Sequence, residues 1–516
     1  MNSNSTHPVV LAIGGSDSAG MAGVQADQRA ITALGGHAAT AISAVTAQNS
    51  DGVTGINPVP AEVLRQQIDA CLPLAPGAIK IGLLATVEQV RACADALAGD
   101  AHSGDSRAGT VPLVRVPVVL DPVLASSSGQ DLVDDGVAGA IRELLLPLVT
   151  LVTPNRAEAS TLASLPMTTA SDIPLAAERL GRQCAVYLKG GHWRGTASSD
   201  YFHSQTQRFW LSSPRLATRH QRGTGCTLAS AAATALALGY SLADAVVIAK
   251  MAVNQGLRQG HGCAHQAGPV SVTAFPDDGR DLPLLTEMPP ASLDAAPFPP
   301  CGPPALGLYP VVDRAAWLDT LLPAGVTTIQ LRIKDLAGDA LREELRRAIA
   351  IAERHRARLF INDYWQLAIE LGAYGVHLGQ EDLADADIDA IRRAGLRMGI
   401  STHCHYEVAR ALPLRPSYLA CGPVYPTTSK DMPWVPHGPA GLGYWRQVLR
   451  DYPLVAIGGI DRERLPAVQA AGADGIAMIS ALTRAADPAA TAREFIARLA
   501  APARREPQPP RSACEV

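Results

Sequence analysis

The sequence predicts two α/β units in tandem: a layered domain on a mainly parallel sheet, then a compact (β/α)8 barrel. Short apolar runs alternate with helix-period segments in both halves, the layer order of parallel sheets covered by helices. In the back half, eight such pairs occupy about 200 residues, which is barrel economy. Between the halves, eight of the 22 residues from 283 to 304 are proline, which reads as an extended linker permitting independent motion.

A chain of 516 residues exceeds one hydrophobic core. The expected division is 1–270 and 305–501 for the two domains, 271–304 for the linker and 502–516 for a polar, proline-bearing tail. Composition is that of a globular chain, 47% hydrophobic and 18% charged, with a formal charge of −4. That balance offers no basic field for nucleic acid or an anionic membrane, so neither partner is expected. Nine scattered cysteines without a CxxC pair suit reduced thiols, and the start lacks the pattern of a secretory signal. Residues 223–243 carry no charge but are rich in Ala, Gly, Ser and Thr, which favours a buried helix over a membrane span. A cytoplasmic protein is expected.

In the front half, residues 9–13, 78–81, 116–120, 148–152 and 185–188 read as strands buried on both faces, with helices such as 61–71 and 88–97 between them. The Gly, Asp and Ser-rich segment 99–114 reads as a surface loop. In the back half, the runs 306–312, 327–331, 358–361, 375–378, 397–400, 417–421, 454–457 and 475–479 each precede a helical pattern. Polar and glycine-rich residues cluster just after the strands, where α/β folds place ligands.

The first strand runs into a glycine-rich loop, Gly14-Gly15-Ser16 to Gly23, and Asp27 enters the following helix. Gln48 and Asn49 end the apolar run 41–47 as amides suited to a heteroaromatic edge, or as a simple strand cap. Asp121 stands at a strand's carboxyl end. The spacing Asn155-x-x-Glu158 fits either a hydrated Mg²⁺ or a capping box. Lys189, in Lys189-Gly190-Gly191-His192, is placed to meet a nucleotide phosphate or to stand solvated at its strand end. The sharpest feature is Arg222-Gly223-Thr224-Gly225-Cys226-Thr227 at the start of the small-residue helix. Its N–H groups make a hole for a transferring phosphoryl group, with Gly223 and Gly225 shaping it. The positive helix end is expected to lower the Cys226 pKa, so that its thiolate takes the proton of an attacking hydroxyl.

In the barrel half, alternation along Gln330-Leu331-Arg332-Ile333-Lys334 puts Gln330, Arg332 and Lys334 on one side, a set suited to pyrophosphate. Asp363 and Asp382 follow neighbouring strands and together fit one Mg²⁺. Ser401 and His403 follow the fifth strand, and Thr427, Thr428, Ser429 and Lys430 fill the loop after the sixth. Gly458-Gly459 and Ile479-Ser480 complete a phosphate site of the kind built from the last two barrel loops.

As a set, Gly15 to Asp27, Thr46-Ala47-Gln48-Asn49, Lys80-Ile81-Gly82, Asp121-Pro122-Val123, Thr153-Pro154-Asn155, Lys189 to His192 and Gly223-Thr224-Gly225-Cys226 resemble the hydroxymethylpyrimidine/phosphomethylpyrimidine kinases, of ribokinase-like α/β fold, over about residues 8–270. The resemblance implies pyrimidine contacts from Asp27 and Gln48, ATP and Mg²⁺ contacts from Asp121, Asn155, Glu158 and Lys189, and Cys226 where sugar kinases of that fold carry an aspartate base. The loop Ala19-Gly20-Met21-Ala22-Gly23 departs from the usual glycine triplet, and Leu83 replaces a frequent methionine.

The back-half motifs Q-L-R-x-K, F-I-N-D, G-V-H-L-G-Q-E-D, G-I-S-T-H, G-P-V-Y-P-T-T-S-K and A-I-G-G-I resemble thiamine-phosphate synthase, a TIM barrel, over about residues 305–500. By that resemblance Gln330, Leu331, Arg332, Ile333, Lys334, Asn362, Ser401 and Lys430 hold a pyrimidine diphosphate, and Asp363 and Asp382 bind Mg²⁺. Thr427, Thr428, Ser429, Gly459, Ile479 and Ser480 hold the thiazole phosphate. The pair implies a bifunctional enzyme: ATP phosphorylates hydroxymethylpyrimidine twice, and the diphosphate then couples to thiazole phosphate, releasing pyrophosphate. Rival readings are a pyridoxal-type kinase, a thiazole tautomerase-like barrel using His403, and a sensor without turnover. Both families are often oligomeric, so a homo-oligomer is a further expectation.

Overall fold

The computed structural model describes residues 7–49, 52–99, 116–125, 132–191, 195–263, 265–289, 295–303, 305–427 and 436–500. The expected loop over 99–114, apart from Gly99, and the tail 502–516 lie outside these residues, as do His192, Thr428, Ser429 and Lys430. The chain divides into two compact units at residues 293 and 294.

The first unit is built on one ten-stranded sheet. Its strands are β1 (Val9–Asp17), β2 (His37–Gln48), β3 (Val53–Pro58), β4 (Ala78–Ile81), β5 (Val118–Leu120), β6 (Leu151–Val152), β7 (Ala185–Leu188), β8 (Ala197–His203), β9 (Arg208–Pro214) and β10 (Leu284–Thr286), in the order β10-β9-β8-β7-β6-β5-β4-β1-β2-β3. Strands β2, β1, β4, β5, β6 and β7 run parallel. All but β2 are the strands legible in the sequence as apolar runs, because helices cover both faces: Val10, Leu11 and Ala12 have no exposed surface. The sheet is more mixed than expected, since β3, β8, β9 and β10 join antiparallel. Strand order reverses at β1, between β4 and β2, so the loops after β1, β4, β5, β6 and β7 share one edge, where such sheets bind ligands.

The second unit is a closed barrel of eight parallel strands: β11 (Gly307–Val312), β12 (Thr328–Leu331), β13 (Arg358–Asn362), β14 (Gly375–Leu378), β15 (Arg397–Thr402), β16 (Tyr418–Cys421), β17 (Leu454–Ile457) and β18 (Gly475–Met478). Tyr309, Phe360, Tyr418, Val455 and Ala477 fill its interior. Large rings fit because small residues face them: a Cβ on Gly399 would fall 2.0 Å from Tyr418 Cζ.

The stretch expected as a linker is largely taken up by the two units, which corrects its boundaries. On one side β10 adds an edge strand to the first sheet, and Asn254 donates to the Asp281 carbonyl at 2.8 Å. Proline confines this segment to a sheet edge rather than excluding it from the sheet. On the other side residues 295–303 lie along the barrel unit. Phe298 is buried beneath the Arg392 guanidinium, Ser417 donates to the Pro299 carbonyl at 2.7 Å, and the largely buried Arg358 donates to the carbonyls of Gly302 and Ala305.

Candidate active sites

In the first unit, Asp17 organises the glycine-rich loop. Its carboxylate accepts the N–H groups of Ala19, Met21 and Ala22 at 2.8–2.9 Å. Ser18 bonds both backbone groups of Gln48, holding the expected pyrimidine-facing amide beside this loop. The loop then meets the helix Thr224–Ala237. Gly223 caps that helix at φ +80°, and a Cβ there would lie 2.3 Å from the Met21 carbonyl oxygen, so only glycine fits. The Gly23 N–H is directed at the Cys226 sulfur. A Cβ on Gly225 would lie 3.3 Å from both Asp121 Oδ2 and Lys189 Nζ. Glycine loop, Cys226, Asp121 and Lys189 therefore converge.

Three of the expected site groups have surroundings that spacing does not reveal. Part of the Cys226 surface is open, but the atoms around the thiol desolvate it, and burial pushes it up to about 12. Asp27 and Asp121 add to that rise, while Lys80 and the Gly23 N–H oppose it. Burial thus works against the thiolate that the positive helix end favours.

Asp27, expected at the pyrimidine, has no exposed surface. Lys80 donates to one carboxylate oxygen at 2.8 Å and Ser230, one turn beyond Cys226, to the other at 2.8 Å. Burial works against both charges, yet Asp27 and Asp121 hold the Lys80 ammonium above its ordinary pKa. Asp27 is thus the counter-ion of a buried cation beneath the site. Replacing it with asparagine strands that cation. Asp27→Asn is expected to destabilise the first unit by about 3–5 kcal/mol, read in urea unfolding as an earlier first-unit transition with the barrel transition unmoved.

Asn155 and Glu158 form the capping box of the helix Arg156–Ala163, the Asn155 side chain accepting from the Glu158 N–H while Glu158 accepts from the Asn155 N–H at 2.7 Å. Of the two uses left open by their spacing, the cap is the one the structure displays. Burial pushes Glu158 up to about 7, against the pull of Lys189 at 3.8 Å. Lys189 is also bonded to Asp121 at 2.8 Å, and these two acids help hold it charged against burial. Among the described residues, no group of three His, Cys, Asp or Glu side chains is arranged to hold a metal ion.

At the barrel mouth, Gln330 is buried and reaches the Tyr309 hydroxyl at 3.5 Å, Arg332 is half-buried and Lys334 exposed. Leu331 and Ile333 alternate into the wall, and Asn362 ends β13 buried. Asp363 follows it at φ +67°, an uncommon left-handed conformation that Asp tolerates, and is paired with Lys334. Asp382 accepts the Gly379 N–H at 2.9 Å. Its carboxyl is held above the usual range, first by burial and then by the like charge of Asp363 within hydrogen-bonding reach. Two facing carboxylates offer hard oxygen ligands, so this pair fits Mg²⁺, with Lys334 occupying the same ground.

Ser401 receives a bond from, or gives one to, His377 Nε2 at 2.8 Å, and its carbonyl accepts from Gln380. His403 is tied through Nδ1 and its own N–H to Glu407 at 2.7 Å. Thr427 stands in the loop after β16, Gly458 and Gly459 follow β17 at φ +105° and +60°, and Ile479 caps the short helix Ser480–Thr483. Sequence reading gave no part to Asp17, Lys80, Ser230, Tyr309, Tyr418 or His377, which hydrogen bonds tie to the residues above. For His377 a signal existed: a lone polar residue inside the buried run Gly375–Leu378.

Comparison with known proteins agrees with this division. The family described as phosphomethylpyrimidine kinase matches residues 17–271, and that described as thiamine monophosphate synthase matches residues 308–482. The thiamine-phosphate synthase of Photorhabdus laumondii is 56% identical over 196 residues, 38% of this chain and 90% of the relative. That of Serratia proteamaculans is 56% identical over 198 residues, 38% of this chain and 93% of the relative. Among solved structures, pyridoxal kinase from Staphylococcus aureus in complex with ADP shares 28% identity at a TM-score of 0.46, covering 52% of this chain and 95% of its own. Phosphomethylpyrimidine kinase from Clostridium difficile shares 28% at a TM-score of 0.40, covering 48% and 97%. Among the described residues, no helix is long and apolar enough to cross a membrane. Through its barrel the chain belongs to the thiamine-phosphate synthase family, and with the phosphomethylpyrimidine kinase domain ahead of that barrel it is a bifunctional enzyme of thiamine biosynthesis.

Proposed function

We propose that the first unit phosphorylates hydroxymethylpyrimidine and then its monophosphate with ATP, at the junction of the glycine-rich loop and the helix Thr224–Ala237. The observation that supports this site is the meeting of Gly23, Cys226, Asp121 and Lys189 at one edge of the sheet. Backbone N–H groups at the helix start receive the transferring phosphoryl group, Lys189 meets the nucleotide phosphates, and Gln48 faces the pyrimidine edge. The substrate oxygen bonds to the γ-phosphorus as the bond to ADP breaks. Cys226, as thiolate, takes the hydroxyl proton.

The barrel then joins the resulting diphosphate to thiazole phosphate. Arg332, Lys334 and Lys430 hold the pyrophosphate, with Ser401 and Gln330 beside it. Asp363 and Asp382 would hold Mg²⁺, which supplies charge neutralisation for the leaving pyrophosphate. Thr427, Thr428, Ser429, Gly458, Gly459, Ile479 and Ser480 hold the thiazole phosphate. Such a displacement needs charge stabilisation and positioning rather than a protein nucleophile.

The test is one pot: purified protein, hydroxymethylpyrimidine, ATP, Mg²⁺ and thiazole phosphate, with thiamine phosphate read by mass. Product that depends on every component supports both activities. Product only when the pyrimidine diphosphate is supplied leaves the barrel reading and removes the kinase reading, and no product in either case removes both. Pyridoxal added as competitor shows which alcohol the first unit prefers.

A further inference from the structure

Four polar side chains inside the barrel connect end to end. The Tyr309 and Tyr418 hydroxyls are 2.7 Å apart, Tyr418 lies 2.8 Å from His377 Nδ1, and His377 Nε2 lies 2.8 Å from the Ser401 hydroxyl. Tyr309 and Tyr418 are fully buried and His377 nearly so. The Tyr418 ring stacks on the imidazole at 5.7 Å and fills the space left by Gly399. The chain thus runs from the packed interior to the mouth, and each link is close to an ideal hydrogen-bond length.

We propose that Tyr309, Tyr418 and His377 are positioning residues of the synthase reaction: a one-way hydrogen-bond relay that turns the Ser401 hydroxyl proton toward the diphosphate. The inference rests on the reading that Ser401 meets that diphosphate.

Counting protons fixes every link once the first is set. Each phenol has one to give. In the proposed direction the Gln330 amide, 3.5 Å away, donates to Tyr309, the Tyr309 proton goes to Tyr418 and the Tyr418 proton to His377 Nδ1. Burial holds both phenols well above the usual tyrosine range, so they retain these protons. An imidazole that accepts at Nδ1 carries its hydrogen on Nε2, and that hydrogen is given to Ser401 Oγ. The serine hydrogen is then directed away from the ring, toward the mouth. With the opposite polarity Ser401 would spend its proton on His377 and present only lone pairs, which repel an anion. A directed donor placed where negative charge builds on the leaving pyrophosphate assists its departure without moving at that moment.

The experiment has two readouts on the full chain. Nitrogen NMR of ¹⁵N-histidine-labelled protein, with His377→Asn assigning the signal, is expected to show the hydrogen on Nε2 of His377; a hydrogen on Nδ1 overturns the proposal whatever the kinetics. In parallel, Tyr418→Phe keeps the ring but removes the donor. It is expected to lower synthase kcat by about 10–100-fold, the usual scale for removing a partner that orients a working side chain, with the KM for thiazole phosphate unchanged and the imidazole no longer held in one tautomer. Ser401→Ala separates the two ideas. If Ser401→Ala leaves the KM for the diphosphate and kcat intact, the placement of the diphosphate fails; if it impairs them while folded Tyr418→Phe does not, the relay alone fails. Should Tyr418→Phe not fold, the tautomer in the unaltered protein decides.

Discussion

Replacing Cys226 with alanine is expected to cut kinase turnover by about 10²–10⁴-fold, the scale of a positioned general base. Thiamine phosphate formation from supplied pyrimidine diphosphate should continue at its original rate. The raised thiol adds a pH signature. A base must be deprotonated to act, and below a pKa near 12 the thiolate fraction grows about tenfold per pH unit. Kinase kcat/KM, which reports the free enzyme, is therefore expected to climb with unit slope from about pH 6 to pH 9 without levelling off. A plateau beginning near neutrality would mean that the positive helix end and Lys80 outweigh burial after all. Alkylation of Cys226 should follow the same slope, and alkylated protein should keep its synthase activity.

Arg332→Ala should do the reverse, lowering synthase kcat by about 10²–10³-fold, the scale for removing one preorganised charge-stabilising donor, while the kinase rate holds. The guanidinium stands half-buried at the end of β12, where its N–H fork can grip two phosphate oxygens at once. Arg332→Lys keeps the charge and loses the fork, so its rate should fall between those of the parent and Arg332→Ala. Loss of both activities from either the Cys226 or the Arg332 variant, in well-folded protein, would break the division of labour between the two units.

The barrel was legible because its strands are buried on both sides. All eight apolar runs coincide with observed strands to within two residues, and Gly375–Leu378 and Leu454–Ile457 coincide fully. The first sheet was legible only where it is parallel. Ala197–His203 and Arg208–Pro214 mix buried Ser, Asp and His with their apolar residues, so no long apolar run announces them. Asp200 shows why: its charge is met by Lys250, fifty residues on, at 2.7 Å, and by the Tyr187 hydroxyl. The same distance in sequence hides the Asp27–Lys80 pair, 53 residues apart. Residue type and strand-end position picked out residues that the fold brings together, but the surroundings of Cys226 depend on neighbours that spacing does not reveal.

The proline-rich strap under the barrel bears on how the two activities can be separated. A barrel excised at residue 305, where its apolar periodicity starts, would leave behind Phe298 and the carbonyls of Pro299 and Gly302. Arg358 would keep a buried guanidinium short of an acceptor, and the surface that covers Phe298 would be bare. Such a fragment invites self-association, because exposed apolar patches aggregate. Severed instead within residues 290–294, each unit would carry away its own closing segment, the edge strand β10 on one side and the strap on the other.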